Sequence, residues 1–254
     1  MFLRFVALAA LVAAPLYAQA PATAPPAVEK LPDGRVLIDA HVKAIGGRQA
    51  LMSYTSMHSK ATLSMPANGI SGPVEIWATA EPQRTLVKMT IPGVGEIMEG
   101  FDGTNAWSVN PMTGPMLKTG AELAEAKFDG DFRDDIRDPK KYPTVKTLEK
   151  TTFEGRPCYK VLLTRSDGGQ DTDFYDVATG LRAGTQKLRT TPMGPMTTVT
   201  VESDYKKFGK VMVATKVSQK VMGIEQVITL TSIDYEKVDP AVFEPPATIK
   251  ALIK

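Results

Sequence analysis

From residue 57 onward the chain alternates apolar and polar positions with a period of two. Met57, Ala61, Leu63 and Met65 alternate with His58, Lys60, Thr62 and Ser64, and Val74, Ile76 and Ala78 alternate with Glu75, Trp77 and Thr79. Val87, Met89 and Ile91 follow the same rule with Lys88 and Thr90 between them. Such alternation predicts strands with one face toward an apolar interior and the other toward water. Further strands are expected over residues 95–101, 105–110, 158–164, 172–176, 181–189, 197–205, 211–219 and 226–235. Turn signals separate them: Asp102-Gly103, Glu154-Gly155, Asp167-Gly168-Gly169, Thr179-Gly180 and Phe208-Gly209. Asp-Gly supplies the positive φ that tight hairpins need. The expected fold is mainly β, a curved antiparallel sheet of about eleven strands in hairpin order.

Two stretches change period. Residues 36–54 carry Val36, Leu37, Ala40, Val42, Ala44 and Ile45 as a helical stripe, stopped by Gly46-Gly47, with a second short helix or turn over 49–54. Residues 121–137 place Leu123, Ala124, Phe128, Phe132 and Ile136 among acidic residues, with Thr119 as a capping candidate, Gly130 dividing the stretch and Asp138-Pro139 ending it. A helical insertion among strands is expected to cover the open face of the sheet.

The beginning of the chain reads as a targeting segment. Arg4 precedes an apolar run over residues 5–16, and Ala18 and Ala20 are small residues suited to cleavage. Pro21 disfavours cleavage after Ala20, so residues 1–18 are the expected signal peptide. The run falls short of the roughly 20 residues of a spanning helix. Residues 19–33, with Pro21, Pro25, Pro26 and Pro32, read as an extended leader, and residues 34–254 as one domain. A soluble periplasmic protein with no transmembrane segment after cleavage is expected, and a monomer.

The formal net charge of +2 falls to +1 when Arg4 leaves, and Lys and Arg are dispersed, which argues against nucleic acid as a partner. Cys158 is the single cysteine, so no internal disulfide can form. Neither Gly-x-Ser-x-Gly nor His-Glu-x-x-His occurs, and His41 and His58 lack a neighbouring nucleophile. Cys158 suits a small buried apolar position better than a reactive thiol. The acidic run Asp129, Asp131, Asp134, Asp135 lacks the order of a calcium loop, and the interleaved Arg133 and Arg137 favour ion pairs on a solvated helix face. No catalytic residue, metal or cofactor is expected.

Six motifs run in order along the chain: Ala44-Ile-Gly-Gly47, Phe101-Asp-Gly-Thr-Asn-Ala-Trp107, Phe153-Glu-Gly-Arg-Pro-Cys-Tyr-Lys160, Phe174-Tyr-Asp-Val-Ala-Thr-Gly-Leu181, Ser203-Asp-Tyr-Lys-Lys-Phe-Gly209 and Val238-Asp-Pro-Ala-Val-Phe-Glu-Pro-Pro246. Together they resemble the LolA/LolB-like superfamily of outer-membrane lipoprotein-sorting proteins. The resemblance implies a half-open β-barrel of about eleven strands, helices over its opening and an apolar concavity that takes up acyl chains. It also implies a cavity arginine acting on the lid, for which Arg84 is the positional candidate.

The resemblance makes lipid, or the acyl chains of lipoproteins, the expected ligand. An envelope sensor or protein-interaction module of the same fold is the alternative, and an enzyme acting on an envelope lipid a third reading. The alternation assigns Leu63, Met65, Ile76, Val87, Met89, Ile97, Trp107, Val161 and Leu163 to the apolar lining; a register error would flip a whole strand. Two echoes, Pro111-Met-Thr-Gly-Pro-Met116 and Pro192-Met-Gly-Pro-Met196, make Met112, Met116, Met193 and Met196 candidates for a mouth or lid, since unbranched thioethers repack around varied apolar ligands. Ordinary filling at strand ends competes with that role, and a copper(I) thioether site lacks a supporting His or Cys. Phe243 is expected to anchor the C-terminal end, with Pro245 and Pro246 ending strand pairing.

Overall fold

Helix α1 (Gly34–Ala44) begins at Asp33, whose carboxylate accepts the Arg35 N–H at 2.8 Å as an N-cap. This computed structural model describes residues 30–191, 194–221 and 224–253. The residues expected to form the signal peptide, and most of the expected leader, lie outside them, as does Met193. Ile38, His41 and Val42 form the buried stripe of α1 at helical spacing, and Ile45 at its C-cap continues it. The chain then turns through Ile45 and Gly46 into α2 (Arg48–Met52). Gly46 holds φ at +122°, and a Cβ there would stand 2.5 Å from the Lys210 carbonyl oxygen, so this close docking of helix on strand requires glycine.

Among the described residues thirteen strands form one sheet, two more than the alternation predicts. They are β1 (Ser56–Met65), β2 (Ile70–Ala80), β3 (Gln83–Ile91), β4 (Gly95–Phe101), β5 (Ala106–Asn110), β6 (Gly114–Lys118), β7 (Thr144–Phe153), β8 (Arg156–Thr164), β9 (Gln170–Asp176), β10 (Arg182–Thr191), β11 (Gly194–Phe208), β12 (Val211–Val221) and β13 (Ile224–Asp234). Every neighbouring pair is antiparallel, in the order 6-5-4-3-2-1-13-12-11-10-9-8-7. The chain therefore starts mid-sheet, meanders to one edge, crosses to the other, and meanders back until β13 pairs with β1.

The two strands absent from the alternation, β6 and β7, are the two edges of this sheet. β6 has five residues including Pro115. β7 carries Lys146, Glu149 and Lys150 and a register irregularity between Thr147 and Glu149. Short length, proline, charge and bulges are the means by which edge strands avoid pairing with other chains, and they erase the hydrophobic period.

Because β6 and β7 lie at opposite edges, residues 119–143 must traverse the sheet. They carry α3 (Gly120–Asp129), then a 3-10 turn at Asp134–Ile136, with Gly130 between as expected; Thr119 is the N-cap residue but makes no side-chain capping bond. The face bearing α1, α2 and this crossing is the inner face. The opposite, outer face of β2–β6 is covered by residues 238–253, where Val238, Phe243 and Ile249 pack with Leu86 and Trp107. No helix among the described residues is long and apolar enough to cross a membrane.

Candidate functional site: an apolar cavity beside a buried ionic latch

The inner face divides into a filled half and an open half. On the filled half, α1 lies over β7 and β8, and Ile38, Val42 and Ile45 pack with Tyr142, Val161, Leu163, Tyr175 and Val211. The fit is close enough that a Cβ on Gly34 would stand 2.6 Å from Val145 Cγ1. On the open half, Ala61, Leu63, Val74 and Ile91 form a second cluster, flanked by half-buried Met65, Ile76, Val87, Met89, Ile97, Ile228 and Leu230.

A cavity of about 370 Å³ opens where β1 meets β13. Strands β1, β2, β12 and β13 line it through Met57, Ser59, Ala61, Ile76, Val213, Thr215, Val217, Ile228, Leu230 and Ile233, and Leu51 of α2 and Phe132 of the crossing close it. Tyr54 and Tyr235 stack at 3.7 Å on its wall, with Arg133 and Asp135 beside them. Burial, reinforced by Tyr54 and Asp135, pushes the Tyr235 hydroxyl up to about 12, so it stays protonated and neutral at physiological pH.

Next to the cavity, the crossing is held to the sheet by buried ion pairs. Arg137 is 2% exposed and donates from Nε to Asp173 Oδ2 at 2.8 Å and from Nη2 to Asp173 Oδ1 at 3.0 Å. It also meets the Asp134 carboxylate, which accepts from Lys141 Nζ at 2.5 Å and Tyr142 Oη at 2.9 Å. The Tyr175 hydroxyl donates to Asp173 at 2.9 Å. Arg182 of β10 donates from Nε and Nη2 to Glu202 of β11 at 2.9–3.1 Å, and its Nη1 lies 2.6 Å from Asp135 Oδ1, an ion pair without hydrogen-bond alignment. His41 is buried beneath, its Nδ1 accepting the Arg182 backbone N–H at 3.1 Å and its Nε2 lying 3.9 Å from Asp135. Nδ1 is therefore the unprotonated nitrogen. Burial alone would raise the Asp135 and Asp173 carboxyls, but neighbouring guanidiniums, Arg182 for Asp135 and Arg137 for Asp173, hold both below the usual range.

The structure gathers six of the nine residues expected to line the concavity into the open-half cluster: Leu63, Met65, Ile76, Val87, Met89 and Ile97. Of these, Ile76 lines the cavity at the β1–β13 seam, and Ile97 lines a second one of about 440 Å³ together with Met116. Val161 and Leu163 are on the inner face but fully buried beneath the helix layer, where side chains fill the space. Trp107 is a correction: it faces outward, 1% exposed, beneath the C-terminal segment. On β5 the small residues Ala106 and Ser108 take the inner side opposite Phe101 and Glu99, which sends Trp107 and Val109 out. Arg84 is a second correction. It pairs with Thr79 on the outer face and lines a groove with Asp102, Thr104 and Phe243, away from the cavity. Met112 is 80% exposed and Met116 43% exposed in the β5–β6 hairpin, and Met196 is half-buried on β11.

The ionic latch is not legible in the sequence, because its members are scattered: Asp135 and Arg137 read as a solvated face, and no local spacing links them to Asp173 or Arg182. Cys158 is fully buried in an outer-face cluster with Ala183, Phe153 and Phe174, and burial with the nearby Asp176 charge pushes its thiol up. His58 stacks on Trp77 at 4.7 Å and meets Glu75 at 2.7 Å. Among the described residues no three His, Cys, Asp or Glu side chains converge as metal ligands.

The open antiparallel sheet with helices over its inner face has the same fold as several solved structures. A DUF1329-family protein from Desulfovibrio piger superposes with a TM-score of 0.56 at 15% identity, covering 85% of this chain and 99% of that one. A LolA-superfamily protein from Nitrosomonas europaea gives 0.51 at 11% identity, covering 85% and 99%. A putative outer-membrane lipoprotein-sorting domain from Vibrio parahaemolyticus gives 0.51 at 11% identity, covering 86% and 97%. By sequence alone, the chain matches no family profile and no curated protein.

Proposed function

We propose that this protein is a carrier that shelters lipid, or the acyl chains of lipoproteins, in the cavity at the β1–β13 seam. The supporting observation is that cavity: about 370 Å³, walled by aliphatic side chains of four strands and closed by Leu51 and Phe132. A methylene takes about the space of a water, ~30 Å³ in the liquid, so the cavity accommodates about a dozen. At roughly 0.8 kcal/mol per buried methylene, that is about 10 kcal/mol of favourable transfer. No ion pair with the ligand and no catalytic group is needed. The proposal places the protein in the periplasm after loss of residues 1–18, with residues 19–33 as a leader and 34–254 as the binding domain, acting as a monomer and not as an enzyme.

Protein purified from its native envelope should release acyl species on denaturation or in native mass spectrometry. Ile228→Trp, at a half-buried position on the cavity wall, should reduce the recovered acyl content at least ten-fold by filling the space, with little change in the thermal midpoint. Wild-type protein free of lipid, carrying a stoichiometric protein partner instead, would refute the carrier reading and favour the sensor alternative.

A further inference from the structure

The two ends of the β1–β6 meander differ in chemistry. At one end are the β1–β2, β3–β4 and β5–β6 turns; at the other are β2–β3 and β4–β5. Both turns at the second end carry an acid, Glu81 and Asp102. At the first end there is no charged residue within 61–74, 89–95 or 106–117. Pro66, Pro92 and Pro115 are exposed there, and Met112 is 80% exposed. Alternate turns are two strand spacings apart, roughly 10 Å, so the three tips form one continuous rim. Pro92 lies against Gly72 and Pro111 against Gly95, which joins each tip to the next.

Each tip of this rim closes on a hydrogen bond of its own backbone. The Gly69 N–H donates to Pro66 O at 3.2 Å, Val94 to Ile91 O at 3.0 Å, and Thr113 to Asn110 O at 3.2 Å. Met112 N–H is met by Asn110 Oδ1 at 2.9 Å. Pro66, Pro92, Pro111 and Pro115 have no N–H to satisfy. Tips without charge, each closed by an internal hydrogen bond, carry no ion that must be desolvated on leaving bulk water.

We propose that this rim is a docking surface for a lipid bilayer, with the three hairpin tips entering the interface. The tips at residues 65–70, 91–95 and 110–114 carry no Asp, Glu, Lys or Arg, so no charge has to be buried on entry. They are three protrusions, a shape that enters a fluid interface without a matching groove. Behind them lie both signs of charge, Lys88 with Glu75 and Glu96, and Lys118 bonded to Glu99 at 2.8 Å, so attraction to anionic headgroups is not the driving term. Ile70 and Val94 belong to the same apolar cluster as Leu63 and Val74, and that cluster shares Ala61, Ile76, Ile228 and Leu230 with the cavity. The apolar inner face thus runs without a break to the proposed membrane contact.

The test is vesicle flotation with the chain lacking residues 1–18, which keeps the whole compact unit 31–254 and removes an apolar segment that would bind on its own account. It should float with phosphatidylcholine vesicles, and equally at high salt, where screening reaches a few Å. Met112→Asp and Pro66→Asp should each lower partitioning roughly ten-fold or more, because a charge must then enter the interface. Val177→Asp, in the β9–β10 turn at the opposite end, should leave partitioning unchanged. No binding to neutral vesicles, binding only to anionic vesicles that salt abolishes, or equal loss in Val177→Asp would each overturn the proposal. Docking does not require the cavity to hold lipid. Acyl chains recovered from Met112→Asp protein at the wild-type level would leave the carrier reading standing whatever the vesicles show.

Discussion

Asp173→Ala is expected to cost about 3–5 kcal/mol of stability, because it leaves the Arg137 guanidinium buried without its bidentate carboxylate partner. The Tyr175 hydroxyl loses its acceptor at the same time. For a unit of this size the thermal midpoint should fall by roughly 6–20 °C. The double replacement Arg137→Met with Asp173→Leu should recover much of the loss, since it removes both charges. A loss below about 1 kcal/mol in urea unfolding of Asp173→Ala would show that the latch does not hold the crossing to the sheet.

The same ion pairs set the response to acid. Asp135 and Asp173 titrate below the ordinary carboxylate range in the folded protein, so the unfolded chain takes up their protons first. Their contribution is complete above the unfolded value of about 4 and is lost as pH falls through the lower folded values. Urea midpoints measured from neutrality downward should hold steady to about pH 5 and then decline. Asp173→Asn should flatten that decline. A steeper decline in the variant would contradict the assignment.

Trp107→Ala is expected to cost about 3–5 kcal/mol as well, by a different route. The ring is fully buried between Leu86 and the C-terminal Val238, Phe243 and Ile249, and it covers Gly100 of the neighbouring strand so closely that no Cβ would fit. Removing it opens a cavity on the outer face. Residues 238–253 should become more accessible to limited proteolysis, while the acyl content of the protein that remains folded should not change. Loss of acyl content without loss of stability would instead place Trp107 in the ligand site.

The contrast between Trp107 and Leu63 shows what strand periodicity can and cannot say. Along β1 the apolar residues all fall on one parity, so the inner set Ala61, Leu63 and Met65 is legible from the chain. On β5, Trp107 and Val109 are the large apolar residues, and the period is clear; the face is not. Assigning the larger residues to the concavity fails because both faces of β2–β6 are covered, one by apolar neighbours across the sheet and the other by residues 238–253. Val161 and Leu163 show the reverse case. Their face was legible, but whether it is hollow depended on α1, which reaches β7 and β8 only in three dimensions.

Local pattern determined the meander, the helices about Gly46-Gly47 and Gly130, and the turns, because period, caps and positive φ act over a few residues. Tertiary structure decided the rest. The pairing of β1 with β13, which creates the cavity, joins segments more than 150 residues apart in the chain. The two edge strands carry little apolar signal because an edge must resist further pairing. The ionic latch assembles Asp135 and Arg137 with Asp173, Arg182 and Glu202 from separate elements, and only burial converts charges that would be ordinary in water into paired groups that hold the crossing in place.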